Sequence, residues 1–382
     1  MSLPKIRIEQ IGMSLVEMMV ALGLSTVLGT GIIQILTGSS QTYRFHEASS
    51  RIQENGRFAM ETLASKIRMA RFSGCPPGNT FVNVLNTPTD WWKNFATGAL
   101  VGYDGTQDFP VVAPSTSGKF TSASGDRVPG TDAIIALGST NGFFITASSS
   151  AVSPPNFALN TRTRPVGTQL AGGSIVMVCD ALRTSLFQVT KVQSGPPITA
   201  EHDSGISLFL PGNCTQHLFP SAAPPAGCTQ GGTQDKYDNT TTMVDYVPTA
   251  FYIGINSSGS RSLYQFQLSV TSGSPGTASV SSQELLEGVE NMQILYGEDT
   301  TGDGTIDRYT DASTPPIWAN VLSVRIYLLL ASLSGENLLE KPQTYFFPND
   351  TGDGQKMGRT VTASDRRFYQ VVTTTIGTRN RI

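Results

Sequence analysis

Residues 11–36 read IGMSLVEMMVALGLSTVLGTGIIQIL and contain a single charged side chain, Glu17. As an α-helix, a run of this length spans the hydrocarbon core of a bilayer, which is about 30 Å thick. A carboxylate inside such a span costs about 2.5–3.5 kcal/mol even on lenient insertion scales, so it usually has a partner. The segment therefore predicts a membrane-spanning helix in which Glu17 serves a purpose beyond anchoring.

Positive charge is placed before this span. Lys5 and Arg7 precede it, and the next basic residue is Arg44. Because basic residues favour the cytoplasmic side of a membrane, we expect a cytoplasmic N-terminus and an exported remainder. An ordinary secretory signal or a simple membrane anchor would share this composition, but neither accounts for the carboxylate.

A glycine lies five residues before the glutamate, in the run GMSLVE from Gly12 to Glu17. This run resembles the class III signal of type IV prepilins. The resemblance implies that residues 1–12 are a leader, that prepilin peptidase cuts between Gly12 and Met13, and that Met13 becomes N-methylated, although the family favours Phe there. In a filament, Glu17 of one subunit would then pair with the Met13 amine of its neighbour, since either charge alone is costly in an apolar environment.

The helical pattern continues beyond the span. Apolar or small residues recur every three or four positions, at Phe45, Ala48, Ile52, Gly56, Ala59, Leu63, Ile67 and Ala70. Charged residues lie off this stripe, as in an amphipathic helix. We predict one helix from about Met13 to Met69, with residues 13–36 as its transmembrane half and residues 37–72 as an amphipathic spine.

Three glycines, Gly23, Gly29 and Gly31, interrupt the apolar half of this helix. Each weakens a helix by up to about 1 kcal/mol relative to alanine. One interpretation is that residues 26–34 loosen on assembly, and the other is close helix packing through small residues.

From residue 73 onwards, short apolar runs alternate with Gly, Pro, Ser and Thr. Residues 262–270 and 368–376 alternate clearly between apolar and polar side chains, as half-buried antiparallel strands do. Strands are predicted at Ala133–Leu137, Phe143–Ala147, Ser174–Val178, Leu186–Val192, Ile206–Leu210, Ala250–Ile255, Ser262–Val270, Asn291–Tyr296, Val321–Leu330 and Phe368–Ile376, and loops at Val111–Pro129, Pro211–Asp235 and Thr271–Ser282. The predicted fold is α+β and pilin-like, with a long N-terminal helix packed on an antiparallel sheet in a head formed by residues 73–382.

Four cysteines, Cys75, Cys179, Cys214 and Cys228, lie in this head. An even number in an exported domain favours disulfides, and four cysteines allow three connectivities. Cys214 and Cys228 bracket a proline-rich loop without regular structure, so we expect them to pair with each other and Cys75 to pair with Cys179.

Further segments narrow the resemblance to the PilW family of minor pilins. They are RIQENGRFA at 51–59, Ile67-Arg68, SGC at 73–75, LEGVEN at 286–291, Tyr296-Gly297 and TTTIGTRNR at 373–381. The resemblance implies a non-enzymatic subunit that enters the pilus from the inner membrane, joins other minor pilins and the major pilin to prime assembly, and helps to present a PilY-type tip adhesin. The alternative is a J-type minor pseudopilin of a type II secretion system, which has the same leader, helix and sheet.

The composition disfavours other classes of protein. The net charge is −3, and basic residues form no long run, so a nucleic-acid partner is not expected. Three histidines, none of them in a recognisable catalytic or metal-binding motif, make a histidine-based active site or zinc site hard to assemble.

A candidate calcium loop occupies residues 299–307, DTTGDGTID. EF-hand-like loops place oxygen ligands at alternate positions, with a glycine at the sixth. Here Asp299, Thr301, Asp303, Thr305 and Asp307 take the alternate positions and Gly304 the sixth. The bidentate glutamate that would close the shell is replaced by Thr310, and the alternative is a plain Asp-Gly hairpin turn. A related run at 349–354 lacks a carboxylate at the ninth position.

Overall fold

The computed structural model describes residues 14–75, 79–110, 123–149, 154–160, 169–204, 209–225, 228–229, 231–233, 237, 241–273, 276–348 and 358–378. The chain divides into two compact units, Met1–Arg51 and Ile52–Ile382. Helix α1, Leu15–Arg68, begins in the first unit and ends in the second. The single long helix predicted from the sequence is thus confirmed for the described residues.

The first unit contains the apolar part of α1. Its large apolar side chains are exposed around the whole helix, with exposed fractions of 76% at Leu15 and 72% at Ile35. The helix is long and apolar enough to cross a membrane by length and composition. A helix that is hydrophobic all round needs an apolar environment on every side.

In the second unit, α1 buries the predicted stripe. Ile52, Ala59, Leu63 and Ile67 are at most 2% exposed. A Cβ atom at Gly56 would lie 3.3 Å from Val372 Cγ1. The absence of a side chain at this position therefore lets the helix approach the sheet closely.

The second unit contains the strands, a four-residue helix α2 and a short 3-10 helix. The strands are β1 Thr80–Asn83, β2 Leu100–Tyr103, β3 Ala133–Ser149, β4 Asn156–Leu159, β5 Ile175–Cys179, β6 Arg183–Gln188, β7 Lys191–Gln193, β8 Ile198–Glu201, β9 Thr242–Ile255, β10 Arg261–Thr271, β11 Thr277–Glu287, β12 Val289–Glu298, β13 Arg308–Thr310, β14 Val321–Ala331, β15 Thr344–Pro348, β16 Gly358–Thr362 and β17 Tyr369–Gly377. Helix α2 is Phe95–Gly98, and the 3-10 helix is Trp318–Asn320.

Three sheets result from these strands. The largest has eleven strands, a second has four in the order β13-β12-β14-β17, and β15 pairs with β16. Among the described strand pairs only β1 and β6 run parallel. The predicted α+β class, with one long helix and a largely antiparallel sheet, is confirmed.

The core follows from the alternation of side chains along the strands. The buried stripe of α1 shares one apolar cluster with Ile294 of β12, Ile326 of β14 and Phe251 of β9. Neighbouring residues of β9, such as Tyr252, belong to a second cluster on the opposite face of the large sheet. A third cluster contains Phe157 and Phe187. The helix is thus held by both larger sheets.

Several strand predictions need correction. Ala133–Leu137 and Phe143–Ala147 belong to one strand, β3, and the stretch Leu186–Val192 is divided between β6 and β7. The loop predicted at Thr271–Ser282 is wrong, because β11 begins at Thr277 and pairs with β10. Only Ala278 and Val280 of β11 are buried, and the exposed Ser279 and Ser281 beside them hid the strand signal. Residues 205–208, in the predicted strand Ile206–Leu210, lie outside the described residues.

His202 packs against Phe157 and Phe187 of the third cluster, and its burial makes stability depend on pH. It is 1% exposed, and its ring centroid lies 5.0 Å from that of Phe157. Burial lowers the pKa of His202 to about 3, with a further lowering from His217, although a backbone hydrogen bond with Gln216 opposes the shift. In the unfolded chain the pKa is about 6.5.

The unfolded state therefore binds a proton at a higher pH than the folded state does. The free energy of unfolding is expected to be unaffected by this group above about pH 6.5 and to fall by about 1.4 kcal/mol per pH unit between about pH 6.5 and 3. His202→Gln should flatten this slope in urea unfolding of the full chain at pH 7.5, 5.5 and 4.5. His46→Gln, on the exposed side of α1, is the matched control, and equal slopes in both variants would contradict the assignment.

Candidate functional sites

Glu17 forms a capping box with Ser14 at the start of α1. The Ser14 amide donates to Glu17 Oε2 at 3.0 Å, and the Glu17 amide donates to Ser14 Oγ at 3.2 Å. This reciprocal pair satisfies two of the backbone N–H groups that a helix start leaves without partners. The sequence contains the pattern of a capping box, Ser-x-x-Glu. The interpretation of Glu17 from its charge alone did not include this role.

The capping box leaves part of the carboxylate available. Glu17 Oε1 has no hydrogen-bond partner among the described residues. Gly12 and Met13 lie outside the described residues, so cleavage between them stays a prediction, as does the pairing of Glu17 with an amine.

The end of α1 is fixed to both larger sheets. Arg71 has a positive φ of 67°, and its amide donates to the Leu137 carbonyl of β3 at 2.8 Å. Its guanidinium Nη1 donates to the Val321 carbonyl of β14 at 3.1 Å. Burial lowers the pKa of Arg71 to about 10, so the group keeps its charge at neutral pH.

Two disulfides hold the segments that follow. Cys75 is joined to Cys179 at a Cα–Cα distance of 5.8 Å, and Cys214 to Cys228 at 5.4 Å. Both predicted pairs are confirmed. The first ties the chain just after α1 to the end of β5, and the second closes the proline-rich loop.

A charged network in the four-stranded sheet links the start of β12 to the start of β17. Arg367 Nη1 donates to Glu290 Oε1 at 2.6 Å, Nε to Asp365 Oδ2 at 2.7 Å, and Nη2 to the Tyr369 hydroxyl oxygen at 2.8 Å. Burial opposes the charge, but the hydrogen bonds to Glu290 and Asp365 outweigh it and raise the pKa of Arg367. Glu290 belongs to the run LEGVEN, so this acidic residue has a structural role.

The loop at residues 299–307 joins β12 to β13, which pair antiparallel. Its carboxylates bond to the loop itself: Asp307 Oδ2 accepts from the Thr300 and Thr301 amides at 2.7 and 3.1 Å, and Asp303 Oδ1 accepts from the Thr305 amide at 2.8 Å. Asp299 accepts from the amides of Gly302 and Gly304 at 2.6 and 2.8 Å. Residues 299–307 are thus the loop of a hairpin between β12 and β13.

The described residues contain no group of three or more His, Cys, Asp or Glu side chains placed to hold a metal ion. Calcium binding at this loop stays a prediction. The run at 349–354 lies outside the described residues.

A comparison with protein families completes these observations. The family model of type IV pilus-assembly protein W, PilW, matches residues 250–380. The resemblance to PilW is confirmed over this segment. No curated protein and no solved structure matches the chain.

The PilW segment coincides with a defined part of the fold. It runs from the end of β9 through β17 and includes the whole four-stranded sheet. The match connects the chain with type IV pilus assembly. The PilW-like run at 51–59 lies on α1, outside the matched residues, and Arg379-Asn380-Arg381 lies outside the described ones.

The calcium prediction has a direct thermal test. If the loop binds the ion, calcium at a hundred times its Kd stabilises the folded chain by about 2.7 kcal/mol, and Tm rises. Asp303→Ala should abolish the rise, whereas Glu340→Ala, an exposed acidic residue outside the loop, should keep it. If the Tm of the unmutated chain responds equally to calcium and magnesium, or to neither, the calcium prediction is wrong and the loop is only a hairpin turn.

Proposed function

We propose that the chain is a minor pilin that is processed by prepilin peptidase and primes type IV pilus assembly. The observation that carries this proposal is the PilW match over the four-stranded sheet, the sheet on which the second half of α1 packs. The residues that resemble PilW therefore include the sheet against which the helix packs. The apolar first half of α1 supplies the membrane segment that such a subunit needs.

In this proposal the first unit enters the inner membrane with its N-terminus in the cytoplasm. Cleavage after Gly12 creates an amine on Met13, four residues before Glu17. Within the lipid and later within the filament, that amine and the carboxylate of an adjacent subunit compensate each other. The pairing sets the axial position at which a new subunit docks.

The second unit would then face the periplasm and later the cell surface. Its disulfides suit an oxidising compartment. There it would contact other minor pilins and the major pilin, and support a PilY-type adhesin at the tip. A J-type pseudopilin would share this arrangement, but the family match favours the pilus.

The mature N-terminus is the decisive measurement. We expect mass spectrometry of the chain recovered from membranes to find an N-terminal peptide that starts at Met13 and is heavier by one methyl group. Deletion of the peptidase should restore residues 1–12. A mature chain that begins at Met1, or beyond Leu36, would contradict the proposal, and loss of secretion with normal pili in a deletion strain would favour the pseudopilin.

The charge of Glu17 can be separated from its capping role. Glutamine also completes a capping box, so Glu17→Gln keeps the helix start and removes only the charge. An unpaired buried amine costs about 3 kcal/mol or more, so we expect incorporation into sheared pili to fall about a hundredfold.

Ser14→Ala is the matched control, because it removes the hydroxyl of the box, at a cost of about 1 kcal/mol, and keeps the carboxylate. Its incorporation should stay close to that of the unmutated chain, with cleavage of both variants checked by mass. Normal incorporation of Glu17→Gln together with loss in Ser14→Ala would assign Glu17 to capping alone.

A further inference from the structure

The large sheet forks beside its central strand. Strand β3 pairs along one edge of β9. On the other edge, β5 pairs with β9 up to Asp245, and β10 pairs with it from Thr249 onwards. Residues 246–248 therefore have a strand partner on one side only, within the described part of the chain.

A cavity of about 250 Å³ lies at this fork. Asp245 and Thr249 of β9, Gln265 of β10 and Lys66 of α1 line it. The strand positions alternate in step with Phe251 and Leu263, which face α1. Ile175, Tyr246 and Leu268, which also line the cavity, belong to or pack on the second cluster, on the opposite face. The lining therefore takes polar side chains from the helix side of the sheet and apolar ones from the other side, at the gap between β5 and β10.

Two of the residues that line the cavity have buried polar side chains without a hydrogen-bond partner among the described residues. Gln265 is 8% exposed and Thr249 is 1% exposed. Neither side chain makes a hydrogen bond to another described residue, and Lys66 makes no ion pair with one. The amide and the hydroxyl are therefore available to a partner that enters the cavity, since the fold does not use their hydrogen-bonding capacity.

The lining selects the chemistry of that partner. Lys66 and Asp245 bring opposite charges, so an anion would meet a carboxylate and a cation would meet an ammonium group. The amide and the hydroxyl both donate and accept hydrogen bonds, as the hydroxyls of a ligand do. Leu268 and Pro248 add an apolar wall, and a volume below the usual range of about 300–1,000 Å³ limits the ligand to one small unit.

We propose that this cavity binds a single sugar residue. Its hydroxyls would bond to Gln265 and Thr249, and its C–H face would lie against the apolar wall. The site is separate from the role in pilus assembly and does not depend on it.

Saturation-transfer NMR on the full chain tests the proposal, in a detergent without a sugar headgroup such as LDAO. The probes are methyl α-D-mannopyranoside, methyl β-D-galactopyranoside and N-acetyl-D-glucosamine, each up to about 10 mM, a concentration that fills most of the sites if the Kd is about 1 mM. We expect at least one to bind, and Thr249→Val and Gln265→Leu each to raise its Kd about fivefold or more.

The matched control is Thr373→Val, at an exposed position of β17. This variant should bind the sugar as the unmutated chain does. Gln265→Leu risks misfolding, but the isosteric Thr249→Val keeps the test informative, with circular dichroism as the check. The proposal is overturned if none of the probes binds, if binding survives both cavity variants, or if sodium acetate displaces the sugar at similar concentrations, which would make the cavity an anion site at Lys66.

Discussion

Close contact between α1 and the four-stranded sheet is the constraint on which the second unit depends. At Gly56 the helix backbone approaches β17 so closely that even a methyl group would crowd Val372. The same cluster contains side chains from β9 of the large sheet. The helix therefore packs against two sheets that have no strand in common. A side chain at Gly56 would therefore require Val372 to move by a few tenths of an ångström.

The segment after the helix turns this packing into a fixed geometry. Arg71 donates hydrogen bonds to one carbonyl in each larger sheet. Four residues after Arg71, Cys75 forms a disulfide with Cys179. A cross-link between residues 104 positions apart removes much of the freedom of the unfolded chain, worth about 4–5 kcal/mol in the chain-entropy model. The end of α1 is therefore tied to both larger sheets of the second unit by hydrogen bonds and to β5 by a covalent bond.

Glu17 caps the start of α1 and leaves one carboxylate oxygen for the pairing that we propose. One oxygen caps the helix, and the other has no partner among the described residues. The capping bond orients the carboxylate at the helix start, where the helix dipole also favours negative charge. A carboxylate that pairs with an amine of a neighbouring subunit benefits from being held there beforehand.

The sequence by itself determined the elements whose signals are local. The apolar run at 11–36 and the repeat of three and four positions that follows it predicted α1 almost to its ends. The alternation in residues 262–270 predicted β10, and the proline-rich run between Cys214 and Cys228 predicted their disulfide. The exposed serines of β11 concealed a strand, because an edge strand buries few side chains. Only the tertiary structure decided that β5 and β10 part beside β9. This fork depends on pairings between residues far apart, such as Val176 with Asp245, and such contacts leave no periodic trace in either segment.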